Sequence, residues 1–138
     1  MAIKYDLIQG KDMSEGAAED AKLWYARAAA ADHMTFDELC DDIAESSTCS
    51  SADVKAVLDR MTWVIAKNLQ AGRIVEMGEL GNFRMTIGSS GVINKEDFDA
   101  SLIRKPRVKF YAGKRIQTAR SETKFERIGV TEEETGTV

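Results

Sequence analysis

The sequence runs to 138 residues, enough for one core of ordinary size and too few for two comfortable domains. With 43% hydrophobic and 30% charged residues it has the balance of a soluble globular protein, and no apolar run approaches the roughly 20 residues needed to cross a bilayer, so no membrane partner is expected. A net charge of −4 excludes a surface coated in positive charge, so any contact with nucleic acid has to come from a local patch.

The first twelve residues, MAIKYDLIQGKD, scatter charge through the segment and lack the apolar region of a secretory signal, which predicts a cytoplasmic protein. Ile3 to Gln9 reads as a strand followed by a turn through Gly10 to Gly16. Lys22 to Ala30 has two readings: Trp24 and Tyr25 favour a strand paired with the first, whereas the alanines favour a helix, and the strand is preferred. His33, the only histidine, stands between Asp32 and Met34 as a loop residue with no Ser or Cys partner at a recognisable spacing.

From Thr35 the helical signal is strong. Thr35 and Glu38 have the spacing of a capping box, and Phe36, Leu39, Ile43 and Ala44 share one face of a helix over about 36–46. Ser50 and Asp53 open a second helix that carries Val54, Val57, Leu58, Met61, Val64, Ile65 and Leu69 at spacings of three and four and stops at Gly72. Cys40 and Cys49 lie in and just after the first helix without a His or Cys cluster around them. That argues against a zinc site and leaves each cysteine as a small apolar side chain or as one half of a redox pair.

Beyond Gly72, alternation with glycines at the turn predicts a hairpin over Arg73–Met77 and Asn82–Ile87. Gly88 to Phe98 reads as a long loop or protruding hairpin, Arg107 to Tyr111 as a strand, Gly113 to Ser121 as a short basic helix and Lys124 to Val130 as a closing strand. Residues 131–138 read as an acidic flexible tail. The domain expectation is one domain over 1–130, made of an extension 1–34, a core 35–121 and a closing strand 122–130.

Charge is unevenly divided. Residues 1–72 hold 7 Lys/Arg against 13 Asp/Glu, whereas Ala100 to Ser121 contains no acid and carries Arg104, Lys105, Arg107, Lys109, Lys114, Arg115 and Arg120. No nucleotide-binding Gly-x-x-x-x-Gly-Lys-Ser/Thr loop is present, the acids Asp41 and Asp42 fall on a helix, and the six methionines read as gap fillers. No enzymatic reading, cofactor, metal or small-molecule substrate is supported.

The order helix, turn, helix, hairpin, arm, strand and short C-terminal helix resembles the HU / integration host factor family of bacterial histone-like proteins. Thr35-Phe-Asp-Glu-Leu39 is similar to its opening helix, Glu79-Leu-Gly-Asn-Phe83 to its Gly-x-Gly-x-Phe turn, and Phe110-Tyr-Ala-Gly-Lys114 with Ile116 to its Phe-x-x-Gly-Lys-x-Leu signature. The match spans about 35–120, and the added strands at both ends resemble a variant group with an enlarged core. The resemblance implies an α+β fold, an intertwined homodimer of helical hairpins with a β-saddle and protruding arms, and double-stranded DNA as the partner on the nucleoid. The burial problem agrees with a dimer, because so apolar a second helix cannot hide its side chains against one partner helix; the alternative is that the N-terminal strands cover it in a monomer.

The candidate DNA contacts are Arg84, Arg104, Lys105, Arg107, Lys109, Lys114 and Arg115. On a strand, Lys105, Arg107 and Lys109 share one face and form a phosphate track, or else a charged edge that resists aggregation. The family's Arg-Asn-Pro-x-Thr-Gly arm tip is missing: Asn94-Lys-Glu-Asp-Phe-Asp99 stands in its place with three acids, Pro106 reads as a strand-start proline, and Phe98 as a loop anchor or substitute wedge. Two functions follow, a sequence-tolerant architectural DNA-binding protein or an HU-like dimer whose saddle or added strands bind another protein.

Overall fold

The structure, a computed structural model, describes residues 1–129, so the end of the expected closing strand at Val130 and the acidic tail lie outside the described residues. The chain divides into two units, one of Met34–Ser121 and one of Met1–His33 with the chain from Glu122 onward.

In the larger unit, helix α1 (Phe36–Glu45) starts where Thr35 accepts the Glu38 N–H at 3.2 Å. Helix α2 (Ser51–Gln70) starts with a complete capping box: the Ser50 hydroxyl accepts the Asp53 N–H at 3.1 Å, and the Asp53 carboxylate accepts the Ser50 N–H at 3.2 Å. Such caps each stabilise a helix by about 1 kcal/mol. Gly72, with φ of 79°, lets the chain leave α2 in a left-handed conformation. Asp37 pairs with Lys55 at 2.8 Å and Asp41 accepts from Ser51 at 2.6 Å, which ties α1 to the first turns of α2. Among the described residues, Cys40, Val54 and Leu69 are the buried apolar side chains; Cys40 and Cys49 are both free thiols, the latter exposed.

Strands β3 (Val75–Glu76), β4 (Gly81–Thr86) and β5 (Arg107–Ala112) form an antiparallel sheet in that order, and helix α3 (Lys114–Glu122) follows. Between β3 and β4 a 3-10 turn, Gly78–Leu80, meets the junction of β5 and α3, where the Gly113 N–H donates to the Leu80 carbonyl at 2.8 Å. The approach admits no side chain: a Cβ on Gly81 would overlap the Tyr111 carbonyl oxygen, and one on Gly113 the Glu79 carbonyl. Gly81 also has φ of 138°, which an L-residue resists.

The segment from 87 to 106 is a hairpin at its base and a coil beyond. Ser89 bridges Ile103, the Arg104 N–H donates to Gly88 at 2.8 Å and the Ser90 N–H to Leu102 at 3.1 Å; two 3-10 turns, Lys95–Asp97 and Ala100–Leu102, then occupy the far end. Hydrogen bonds from the Ser101 hydroxyl and backbone hold the Asp99 carboxyl below its ordinary pKa.

In the smaller unit, β1 (Ile3–Lys11) pairs antiparallel with β2 (Lys22–Ala28) and parallel with β6 (Phe125–Arg127), in the order β2-β1-β6. The strand reading of Lys22 onward prevails because cross-strand partners override the helix propensity of the alanines: Ala26 stands opposite Leu7 and Ala28 opposite Tyr5.

Candidate nucleic-acid interface

The register of β4 and β5 sorts their side chains. Residues directly opposite share a face, so Asn82 with Tyr111, Arg84 with Lys109, and Thr86 with Arg107 form one face, while Phe83, Met85, Val108 and Phe110 form the other. The apolar side is anchored by Phe83 and Phe110, whose ring centroids are 5.0 Å apart. The polar side is cationic except at its β3 edge, where Glu76 stands opposite Asn82.

Arg84 is the most constrained cation on that face. Its guanidinium donates to the Asn82 side-chain oxygen at 2.9 and 3.3 Å and lies 4.6 Å above the Tyr111 ring. An arginine held this way has less rotamer freedom to lose when it meets a phosphate.

At the end of β5 where the arm returns, Arg104, Lys105, Arg107 and Lys109 line one concavity of about 210 Å³, closed by Thr86, Ile87 and Gly88. No acid is among its lining residues. Arg104 is placed by its backbone bond to Gly88 and a long contact from its guanidinium to the Ser89 carbonyl at 3.4 Å. Lys105 reaches the concavity from outside β5, because Pro106 has no N–H to donate and the strand begins only at Arg107. The expected strand track is therefore a cluster at its arm end. Four cations around one small hollow repel each other, and an anion seated there relieves the repulsion.

Lys114 and Arg115 stand apart from this cluster, on the first turn of α3 beyond the opposite end of β5. Arg115 is engaged with Glu79 at 2.8 Å in an exposed ion pair, which links α3 to the 3-10 turn between β3 and β4. Sequence reading missed Asn82, Thr86 and Tyr111, which share the cationic face; period-two alternation on β4 and β5 with their register carries that signal. It also passed over Ile93, which is fully exposed in the arm.

An α+β unit of helical hairpin, three-stranded sheet and arm, with cations gathered where the arm joins the sheet, is an HU-like fold. The chain belongs to the family described as HU domain fused to wHTH, Ig, or glycine-rich motif, whose family model matches residues 1–127. Among solved structures it is similar to a protein from Bacteroides vulgatus ATCC 8482 described as a "Putative bacterial DNA binding protein", at 18% identity and a TM-score of 0.61. That similarity covers 94% of this chain and 50% of the other, so the chain spans about half the length of that relative. No curated protein matches it.

Proposed function

We propose that the chain is a non-enzymatic, sequence-tolerant DNA-binding architectural protein that acts as an intertwined homodimer on the bacterial nucleoid. The observation that carries this reading is the acid-free concavity of Arg104, Lys105, Arg107 and Lys109, next to Arg84 on the same sheet face. The cluster offers phosphate contacts and no side-chain constellation for reading base edges, which favours tolerance of sequence. Family membership and the DNA-binding description of the solved relative support the same partner.

Exposed apolar surface supports the homodimer. Val57, Met61 and Val64 are 65%, 37% and 42% exposed, and with Ile65, Val75 and Met77 they line an open apolar groove of about 540 Å³ beside β3. A helix left so apolar gains stability when a second copy covers it. The acids Glu96, Asp97 and Asp99 in the arm favour the second reading, in which the same dimer engages a protein instead.

The deciding experiment is fluorescence anisotropy against a labelled duplex of about 30 base pairs at low and physiological salt. If the four cations of each concavity in a dimer each neutralise one phosphate, log affinity against log salt falls with a slope of about −7. Lys105→Glu/Arg107→Glu/Lys109→Glu abolishes binding. A folded dimer that binds at neither salt overturns the DNA reading and directs the search to protein partners.

A further inference from the structure

The two faces of the β2-β1-β6 sheet differ in a way the duplex site does not use. On one face two polar side chains find partners within the sheet: Asp6 pairs with Arg27 at 2.8 Å, and the Tyr25 ring lies over Gly10 with its hydroxyl donating to the Lys11 carbonyl at 3.2 Å. Asp6 and Glu126, the acids of these three strands, both fall on that face. The other face contains no acid. It carries Ile3, Tyr5, Leu7, Trp24 and Phe125, with Lys11 opposite Lys22 at one end and Arg127 beside Tyr5.

This second face is open. Trp24 is 65% and Phe125 70% exposed, and a hollow of about 670 Å³ lies over Ile3, Tyr5, Leu7, Ala26, Ala28 and Phe125. Ala28 opposite Tyr5 and Ala26 opposite Leu7 are too small to cover their neighbours, so the centre of the sheet is hollow, with Tyr5 and Phe125 lining it and Trp24 on the same face opposite Gln9. In a chain of net charge −4, a face that combines three aromatics with three cations and excludes every acid is complementary to an anion that also presents flat apolar surface. Two copies of the face would bring their cations together, which disfavours self-association through it.

We propose that this face binds single-stranded nucleic acid, with bases stacking on Tyr5, Trp24 and Phe125 and phosphates meeting Lys11, Lys22 and Arg127. Sequence-tolerant single-strand sites combine these two elements, because every base has a π-face and every nucleotide a phosphate. β1 extends over nine residues, roughly 30 Å at about 3.3 Å per residue, room for a run of several nucleotides. The site is separate from the duplex contact and does not depend on it.

The test uses the full chain with Trp63→Phe, which leaves Trp24 as the sole tryptophan of the two. Titration with a 12-nucleotide oligothymidylate is expected to quench Trp24 saturably. Binding weakens about tenfold in Lys11→Glu/Lys22→Glu and, read by anisotropy, in Trp24→Ala, whereas Trp24→Phe retains most of it. An abasic strand of equal length binds correspondingly less well, and Lys105→Glu/Arg107→Glu/Lys109→Glu leaves the quench intact. Absence of quenching by the folded protein overturns the proposal, as does equal affinity for the abasic strand or loss of the quench only in the duplex-site variant. A fall in molar mass by light scattering on Leu7→Glu also overturns it, by assigning the face to a second copy.

Discussion

Arg84 and Lys109 stand directly opposite each other across the β4–β5 pair, two cations on one face of one sheet. Like charges so placed destabilise a sheet by about 0.2–1 kcal/mol. Arg84 offsets part of that cost through Asn82 and Tyr111, whereas Lys109 is exposed and faces the cationic concavity. Lys109→Gln is therefore expected to raise stability by some tenths of a kcal/mol in urea denaturation. In the same variant the salt slope of duplex binding becomes shallower by about 1 for each phosphate contact removed. A gain in stability with a loss in binding is the signature of a residue kept for its ligand; a loss of stability with an unchanged slope would make Lys109 a packing residue.

Gly81 and Gly113 predict a different pattern. At both, an added Cβ meets backbone, which cannot swing aside as a flexible side chain can, and at Gly81 the positive φ adds strain. Gly81→Ala and Gly113→Ala are each expected to cost more than about 2 kcal/mol in chemical denaturation. Gly91→Ala, where the added methyl enters open space, stays within about 0.5 kcal/mol of the parent. Equal behaviour of the three variants would show that the turn between β3 and β4 can move away from the β5–α3 junction.

These two glycines also show what was legible in the sequence. Both lie inside the words that resemble the HU family, Glu79-Leu-Gly-Asn-Phe83 and Phe110-Tyr-Ala-Gly-Lys114, and the fold makes those words touch. Local signals were read well because they act locally: Ser50 and Asp53 cap α2, Gly72 ends it, and Trp24 and Tyr25 outweigh the alanines around them. Pairing between distant segments was not legible. Nothing in residues 125–127 announces a parallel partner for β1, and no period-two count shows that Arg84 faces Lys109 or that Pro106 leaves Lys105 outside β5. The candidate site was thus identified by charge and divided by register, with four of its cations drawn to the arm end of the sheet, Arg84 beside them on β4, and Lys114 and Arg115 left on α3.

The groove of Val57, Met61, Val64 and Ile65 makes dimerisation measurable through stability. A fold completed by a second copy has a melting temperature that rises with protein concentration. Val64→Glu places a charge where the partner's apolar surface is expected, at a cost of several kcal/mol if the carboxylate stays buried and unpaired. Analytical ultracentrifugation is expected to show monomers in this variant, with a lower melting temperature. A variant that remains dimeric and melts as the parent does would place the dimer contact elsewhere.

Asp6 and Arg27 give the smaller unit a pH dependence of its own. The hydrogen bond and charge of Arg27 hold the Asp6 carboxyl below its ordinary value of 3.8, so the folded state favours the ionised form more than the unfolded chain does. The resulting stabilisation is fully present above the ordinary carboxylate range and is lost as pH falls through the lowered folded-state pKa. Asp6→Asn therefore destabilises at pH 7, by an amount kept small by solvent because the pair is exposed. The difference between parent and variant, followed by thermal unfolding from pH 7 downward, closes in the acid range below about pH 4. A difference that persists unchanged at the lowest pH would mean that the Asp6 side chain acts there as a neutral hydrogen-bond acceptor for Arg27 and that its charge contributes nothing.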